Sequence, residues 1–251
     1  MRLIKDYMFL AVCCATLTLA ASALCYAEDG SKTHEYTMAD PYIDGEMIPN
    51  GPSIAGPTGL VKNPSAYVLA PWDYDVSVDV VGWKDYVKAN VGLPRRFEAG
   101  VTFVEKVQQE GSLNLKWNFV PEAQEHPAVS AGLLDLASTN RTKYAVVSKN
   151  FTSGKKLRSK HRIDKIALRY QVGYRTSDID DSLFYGLEAR FLISKKSPFM
   201  KALKKTTFME EYDGDHFNFG MRYDLSESAK LHFGILSVED ISVGISYRKN
   251  L

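Results

Sequence analysis

Beyond residue 27 the chain has no cysteine; Cys13, Cys14 and Cys25 all lie in the first 27 residues. The remainder can therefore form no disulfide, thiolate nucleophile or Cys-based zinc or iron–sulfur site. Long apolar runs are missing too. After residue 27 none approaches the roughly 20 residues of a membrane helix, so any membrane passage has to be made by a closed barrel. Neither sign of charge dominates: 31 Lys and Arg stand against 30 Asp and Glu. That balance argues against a nucleic-acid partner. No helical period of useful length appears; the nearest candidate, 195–205 (KKSPFMKALKK), is short and carries five lysines. No G-x-S-x-G marks a nucleophile, and no two of His34, His126, His161 and His232 have metal-ligand spacing. No cofactor, metal or catalytic residue is expected.

What is present begins with an export signal. Arg2 and Lys5 precede an apolar stretch over 7–24, and Cys25-Tyr26-Ala27 offers small residues for cleavage after Ala27. An uncleaved membrane helix and lipidation at Cys25 are the alternatives, although Leu24 suits a lipobox poorly. Residues 28–57 are rich in Asp, Gly, Pro and Ser without a sustained period, and read as a flexible linker or plug segment. Residues 58–251 form the expected barrel domain.

There the dominant signal is a two-residue period. Val76, Val78 and Val80 alternate with Asp75, Ser77 and Asp79; Leu113, Leu115, Trp117 and Phe119 alternate with Asn114, Lys116 and Asn118. Similar runs cover 96–104, 128–136, 142–151, 166–175, 183–193, 206–212, 217–223, 229–236 and 241–248. With a short run at 66–70 the count is twelve; without the weakest it is ten. The pattern predicts an all-β fold, an antiparallel transmembrane β-barrel of about 10–12 strands.

A soluble β-domain also alternates, but three features favour the membrane. The apolar faces are large and nearly free of charge. Trp72 and Trp83 lie about 36 Å apart along an extended chain, or about 26 Å of membrane normal at a 45° tilt, which suits two aromatic girdles. The opposite faces mix glycine with both signs of charge, as a narrow lumen needs. Arg96, Glu98, Lys116, Arg169, Glu188, Arg190 and Arg222 are the expected lumen-facing charges.

Two basic segments are candidate polyanion-binding loops: Lys155, Lys156, Arg158 and Lys160, and Lys195, Lys196, Lys201, Lys204 and Lys205. The other site-like stretch is 206–223, where His216 and Asp215 face Glu210 and Glu211 about Asp213-Gly214-Asp215. A polar hairpin turn accounts for them. A two-residue turn there would put Glu210 toward lipid, whereas a three-residue turn would move it to the lumen; the first requires Glu210 to lie near the barrel rim.

Several stretches resemble the YjbH-type outer-membrane β-barrel proteins associated with exopolysaccharide production. They are Pro57-Thr58-Gly59-Leu60, Pro64-Ser65-Ala66, Gly92-Leu93, Phe97-Glu98-Ala99-Gly100-Val101, Asn114-Leu115-Lys116, Pro127 through Gly132, Val147-Ser148-Lys149, Glu211 through Gly214, and Asn218 through Tyr223. The resemblance implies a non-enzymatic bacterial outer-membrane protein that supports exopolysaccharide production or export. Its partners would be outer-membrane lipids and an exopolysaccharide or its export machinery. Larger members run to several hundred residues, whereas this chain has room for one barrel. A lipid-modifying outer-membrane enzyme and a soluble periplasmic glycan-binding β-domain are the rival readings.

Overall fold

A computed structural model describes Ile48 and residues 50–105, 110–123, 125–136, 141–153, 165–177, 181–192 and 197–249. Twelve strands follow one another: β1 (Tyr74–Val81), β2 (Lys84–Leu93), β3 (Phe97–Glu105), β4 (Glu110–Val120), β5 (Ala128–Leu134), β6 (Thr142–Ser153), β7 (Lys165–Thr176), β8 (Asp181–Leu192), β9 (Thr206–Tyr212), β10 (Phe217–Asp224), β11 (Ala229–Leu236) and β12 (Asp240–Lys249). Each pairs antiparallel with its sequence neighbours, and β1 pairs with β12 from Tyr74↔Lys249 to Val81↔Ser242. The sheet is thereby a closed barrel without a free edge.

The alternation sorts the side chains as a membrane barrel requires. Val76, Val78, Val80, Leu113, Val172, Leu183, Val243 and Ile245 point outward and are exposed, whereas Asp75, Asp79, Lys88, Glu98, Lys116, Glu188 and Arg222 point inward and are buried. Water outside such a wall would leave a continuous apolar band uncovered; hydrocarbon covers it. Aromatic clusters lie toward both ends of this band. Phe97 stacks on Trp117 with ring centroids 5.5 Å apart near one end, and Tyr185, Tyr212 and Phe217 cluster near the other.

Because the strand number is even, both ends of the barrel chain emerge at one rim, here called the terminal rim. The connections after β2, β4, β6, β8 and β10 also lie there. The connection after β8 contains α1 (Pro198–Lys204), about two turns whose start is capped by the Ser197 hydroxyl accepting from the Met200 N–H at 3.3 Å. The remaining connections form the opposite rim.

Twelve strands were reached in the sequence with one piece misplaced and one missed. Residues 66–70 form no strand; they lie inside the barrel, with Ala66, Tyr67 and Leu69 buried. Their compact apolar run comes from packing in the lumen. The missed strand is β2, whose opening Trp83-Lys84-Asp85-Tyr86 resembles a girdle followed by a turn. Its outward Val87, Ala89 and Val91 and inward Lys88 and Asn90 nonetheless follow the wall's period. Arg96 requires a second correction. It does not face the lumen: Pro94–Arg96 make a 3₁₀ turn with Arg95 and Arg96 at φ 60° and 63°, and the left-handed backbone turns Arg96 out to solvent before β3 begins.

Between Tyr212↔Phe217, the β9–β10 connection has four residues, Asp213 to His216. This even number gives Glu210 the same parity as a two-residue turn, so it faces outward opposite Phe219. It lies two residues from Tyr212, just inside the aromatic cluster at the opposite rim. An acidic group at that depth costs far less than at the midplane.

Candidate functional site: the filled lumen

The lumen is not open. Residues 50–72, which have no sustained period and hardly any charge, run through it from the terminal rim and back. Two isolated bridges, Pro52↔Thr58 and Gly59↔Pro64, fold this plug on itself. Near the opposite rim its apolar side chains Ile54, Leu60 and Val61 pack with Val81, Met209 and Leu236. On the return limb, Ala66 and Tyr67 pack with Ala128, Tyr144, Val146 and Phe184. Wall glycines make room for the tip. A Cβ on Gly186 would lie 2.4 Å from Leu60 Cδ2, and one on Gly220 would lie 2.4 Å from Val61 Cγ2. Gly186 and Gly220 are thus seats for the plug, whereas Gly132, Gly173 and Gly244 make room for the wall side chains Tyr144, Phe184 and Asp79.

Most polar contacts join a wall side chain to the plug backbone. Lys230 Nζ donates to the Asn50 carbonyl at 2.6 Å, Lys88 Nζ to Ser53 at 2.8 Å, and Asn90 Nδ2 to Gly56 at 2.8 Å. Arg222 Nη2 reaches the Gly59 carbonyl at 3.1 Å, and Arg169 Nη2 donates to Ile48 at 2.6 Å. In the other direction, the Lys62 and Asn63 amides donate to the two oxygens of Glu211 at 2.7 and 3.1 Å. The Ala66 amide donates to Ser148 Oγ at 2.9 Å, while its carbonyl accepts from Asn118 Nδ2 at 2.7 Å and from Ser130 Oγ at 2.5 Å. A non-regular backbone inside a barrel needs such partners, since each unpaired buried group would cost about 1–3 kcal/mol.

Glu98 is the most heavily engaged wall group. It accepts from the Thr58 amide at 2.8 Å, the Thr58 hydroxyl at 2.9 Å and the Leu69 amide at 2.9 Å, clamping both limbs of the plug. Lys116 lies 3.4 Å from the same carboxylate and donates to the Thr58 carbonyl at 3.0 Å and to its hydroxyl. Glu188 sits between Arg169 at 2.7 Å and Arg222 at 3.6 Å, and Arg169 also lies over the Tyr67 ring. Arg190 is at the terminal rim, paired with Asp224 at 2.6 Å.

The plug tip is held ionically. Lys62 Nζ is 2.6 Å from Asp213 Oδ2 in the β9–β10 connection. Burial pushes the Asp213 carboxyl up, but the Lys62 ammonium, the His216 N–H and the Asn218 amide outweigh it and hold the group well below the usual carboxylate range. Asp213, Asp215 and His216 bring possible metal-ligand atoms within 4.8 Å of one another. Asp213 is already committed, however: Oδ1 accepts from the Asp215 and His216 amides, and Oδ2 takes Lys62 and Asn218. The cluster is a tied turn, as the sequence pattern suggests.

One arrangement escaped the sequence reading. Ser246 Oγ lies 2.8 Å from His232 Nε2, and His232 Nδ1 lies 3.6 Å from Asp79 Oδ1. The order is that of a hydrolytic triad, but the surroundings are not. Asp79 is paired with Lys88 at 2.5 Å, and Ser246 is 2% exposed. The adjoining cavity of about 20 Å³ is lined by Asp79, Arg222, His232 and Ser242, not by Ser246, and would admit little more than a water.

Of the candidate polyanion loops, Lys155, Lys156, Arg158, Lys160, Lys195 and Lys196 lie outside the described residues. Lys201, Lys204 and Lys205 are exposed on and beside α1 at the terminal rim. Sequence reasoning missed Lys88, Glu211, Asp213 and Lys230 as lumen groups; Lys88 and Lys230 stand at inward parity, which was the available signal.

No protein-family model matches the sequence, and no curated protein matches it. Among solved structures, the chain is similar to the KdgM porin, with 12% identity, a TM-score of 0.43, and coverage of 70% of this chain and 98% of that one. It is also similar to the NanC porin, at 9% identity and TM-score 0.40, covering 69% and 98%. A third is the Acinetobacter baumannii outer membrane protein Omp33, at 6% identity and TM-score 0.42, covering 72% and 98%. Identities this low leave the lumen to be read from its own side chains.

Proposed function

We propose that this chain is a bacterial outer-membrane conduit held shut by its own N-terminal segment, and that it supports exopolysaccharide production or export without chemistry of its own. The observation that carries the reading is the plug's mode of attachment. The wall grips its backbone mainly through polar side chains that can exchange partners, with no covalent tie, while Leu60, Val61 and Tyr67 seat it by packing.

The resemblance to YjbH-type barrels supports the polysaccharide role. The stretches that carry it are the plug and its sockets. Thr58, Gly59 and Ala66 belong to the plug; Glu98, Asn114, Lys116, Ser130, Ser148, Glu211, Asp213 and Arg222 hold it; Gly92 accepts the Trp72 amide where the plug leaves the lumen.

The test uses a reversible lock. A Cβ on Gly220 would fall beside Val61, so Val61→Cys with Gly220→Cys should cross-link plug to wall, in a chain whose Cys13, Cys14 and Cys25 are replaced by Ser. Reconstituted in planar bilayers, the oxidised protein should stay shut, and the reduced protein should show opening events like those of the cysteine-free chain. In cells, the oxidised lock should depress exopolysaccharide output and reduction should restore it. Equal conductance in both redox states would overturn the gate. Normal exopolysaccharide in a strain lacking the chain would overturn the cellular role.

A further inference from the structure

The geometry points to an uncharged, polyhydroxylated chain, a neutral glycan strand, as what the lumen takes when the plug leaves it. This inference rests on the gated-conduit reading and names the substrate class of the same site.

Three ion pairs inside the lumen need no plug. Lys88 pairs with Asp79 at 2.5 Å, Arg169 with Glu188 at 2.7 Å, and Lys116 with Glu98 at 3.4 Å. Each of these pairs is built from wall residues alone and remains when the plug is gone. An anionic glycan would bring carboxylates against Glu98, Glu188 and Glu211, all nearly or fully buried, with the cations beside Glu98 and Glu188 already engaged. Like charges across so narrow a lumen repel.

The present occupant has the same character. Residues 50–72 contain a single charged side chain, Lys62, placed at the far rim. Elsewhere the plug offers carbonyl acceptors to Lys, Arg and Asn, and amide donors to Glu and Ser. A sugar hydroxyl is donor and acceptor at once, so a ladder built for a bare backbone also suits a hydroxylated chain. The lumen even has capacity that the plug does not use. Both polar atoms of the Gln171 amide, the Tyr144 hydroxyl and the Ser77 hydroxyl are buried without a hydrogen-bond partner among the described residues. In width, the bridges Pro52↔Thr58 and Gly59↔Pro64 set three segments of the plug side by side, about 10 Å between the outer two at the spacing of paired strands, enough for one glycan strand.

A competition experiment separates the charge classes. Val61 is 7% exposed and packed at the plug tip, and Val61→Cys is close to volume-conserving. In a chain with Cys13, Cys14 and Cys25 replaced by Ser, alkylation of that thiol in nanodiscs reports plug withdrawal. Maltoheptaose should speed alkylation by about threefold or more, because a ligand for the vacated lumen traps the withdrawn state. A heptameric oligogalacturonate should leave the rate unchanged. Equal or greater acceleration by the oligogalacturonate, or none by either sugar, would overturn the inference. The lock experiment could still succeed in those cases, so the two failures are distinguishable. Should Val61→Cys fold poorly, Leu60→Cys reports the same tip, and the same outcomes decide.

Discussion

The two rims of the barrel are built for opposite tasks. Among the described residues, connections at the terminal rim carry five Lys and Arg against three Asp and Glu, and those at the opposite rim one against four. The terminal rim also has the longer connections, from Ser153 to Lys165 and from Leu192 to Thr206, whereas the opposite rim turns within two to seven residues. Into this axial field the chain inserts a plug whose one cation, Lys62, arrives at the acidic rim. Near the terminal rim the hold is by hydrogen bonds to backbone around Glu98; at the far rim it is ionic. Insertion from the basic side thus places the plug's charge where the rim's sign favours it, and the tip contact is the one exposed to salt and pH.

Breaking the grip near the terminal rim has the largest expected effect. Glu98→Ala removes three acceptor contacts from the plug and leaves Lys116 buried without its carboxylate. A loss of about 3–5 kcal/mol is expected, measured as a lower urea midpoint in detergent. Next comes the tip. Lys62→Glu sets two acids together at the acidic rim and should raise Val61→Cys alkylation by about tenfold; Lys62→Ala should raise it less, because the ammonium is partly exposed.

Lowering the pH should act on the same contact. The folded-state pKa of Asp213 is depressed, so its contribution is complete above the ordinary carboxylate value of about 4 and is lost as pH falls from there toward the folded value. Alkylation should therefore accelerate on acidification below about pH 4, and Asp213→Asn should flatten that response while raising the neutral-pH rate. The smallest effect belongs to the surface of the basic rim. Replacing Lys201, Lys204 and Lys205 with Gln should weaken salt-sensitive binding of a soluble polyanion by about twofold to threefold, with no change in plug alkylation. A change in alkylation would show that the rims are not independent.

The wall was legible because its period is local: each strand declares its two faces within ten residues. Glu98, Lys116, Arg169, Glu188 and Arg222 could be picked out by parity alone. Arg96 misled because parity says nothing about where a strand begins. The plug was harder to read. Its bonds run to partners 20 to 180 positions away, from Trp72–Gly92 to Lys230–Asn50, and its own stretch has no period and a single charge. Segment 66–70 looked like a strand because burial on all sides and burial on one side both select short apolar runs. Glu211 and Asp213 read as a turn's polar dressing, since their partners Lys62 and Asn63 were nowhere near in sequence.

The seam between β1 and β12 bears on assembly. The plug leads directly into β1 by way of Trp72, yet its sockets are spread over strands from β2 to β11. β1 itself is completed only when the last strand arrives. A growing sheet therefore offers the plug a partial bed, and the final hydrogen-bonded seam encloses a segment synthesised before any strand of the wall. The plug precedes every strand of the wall in the chain and lies inside the closed sheet, so a chain with a defective plug is expected to show its fault as slow closure before it shows it as leakage.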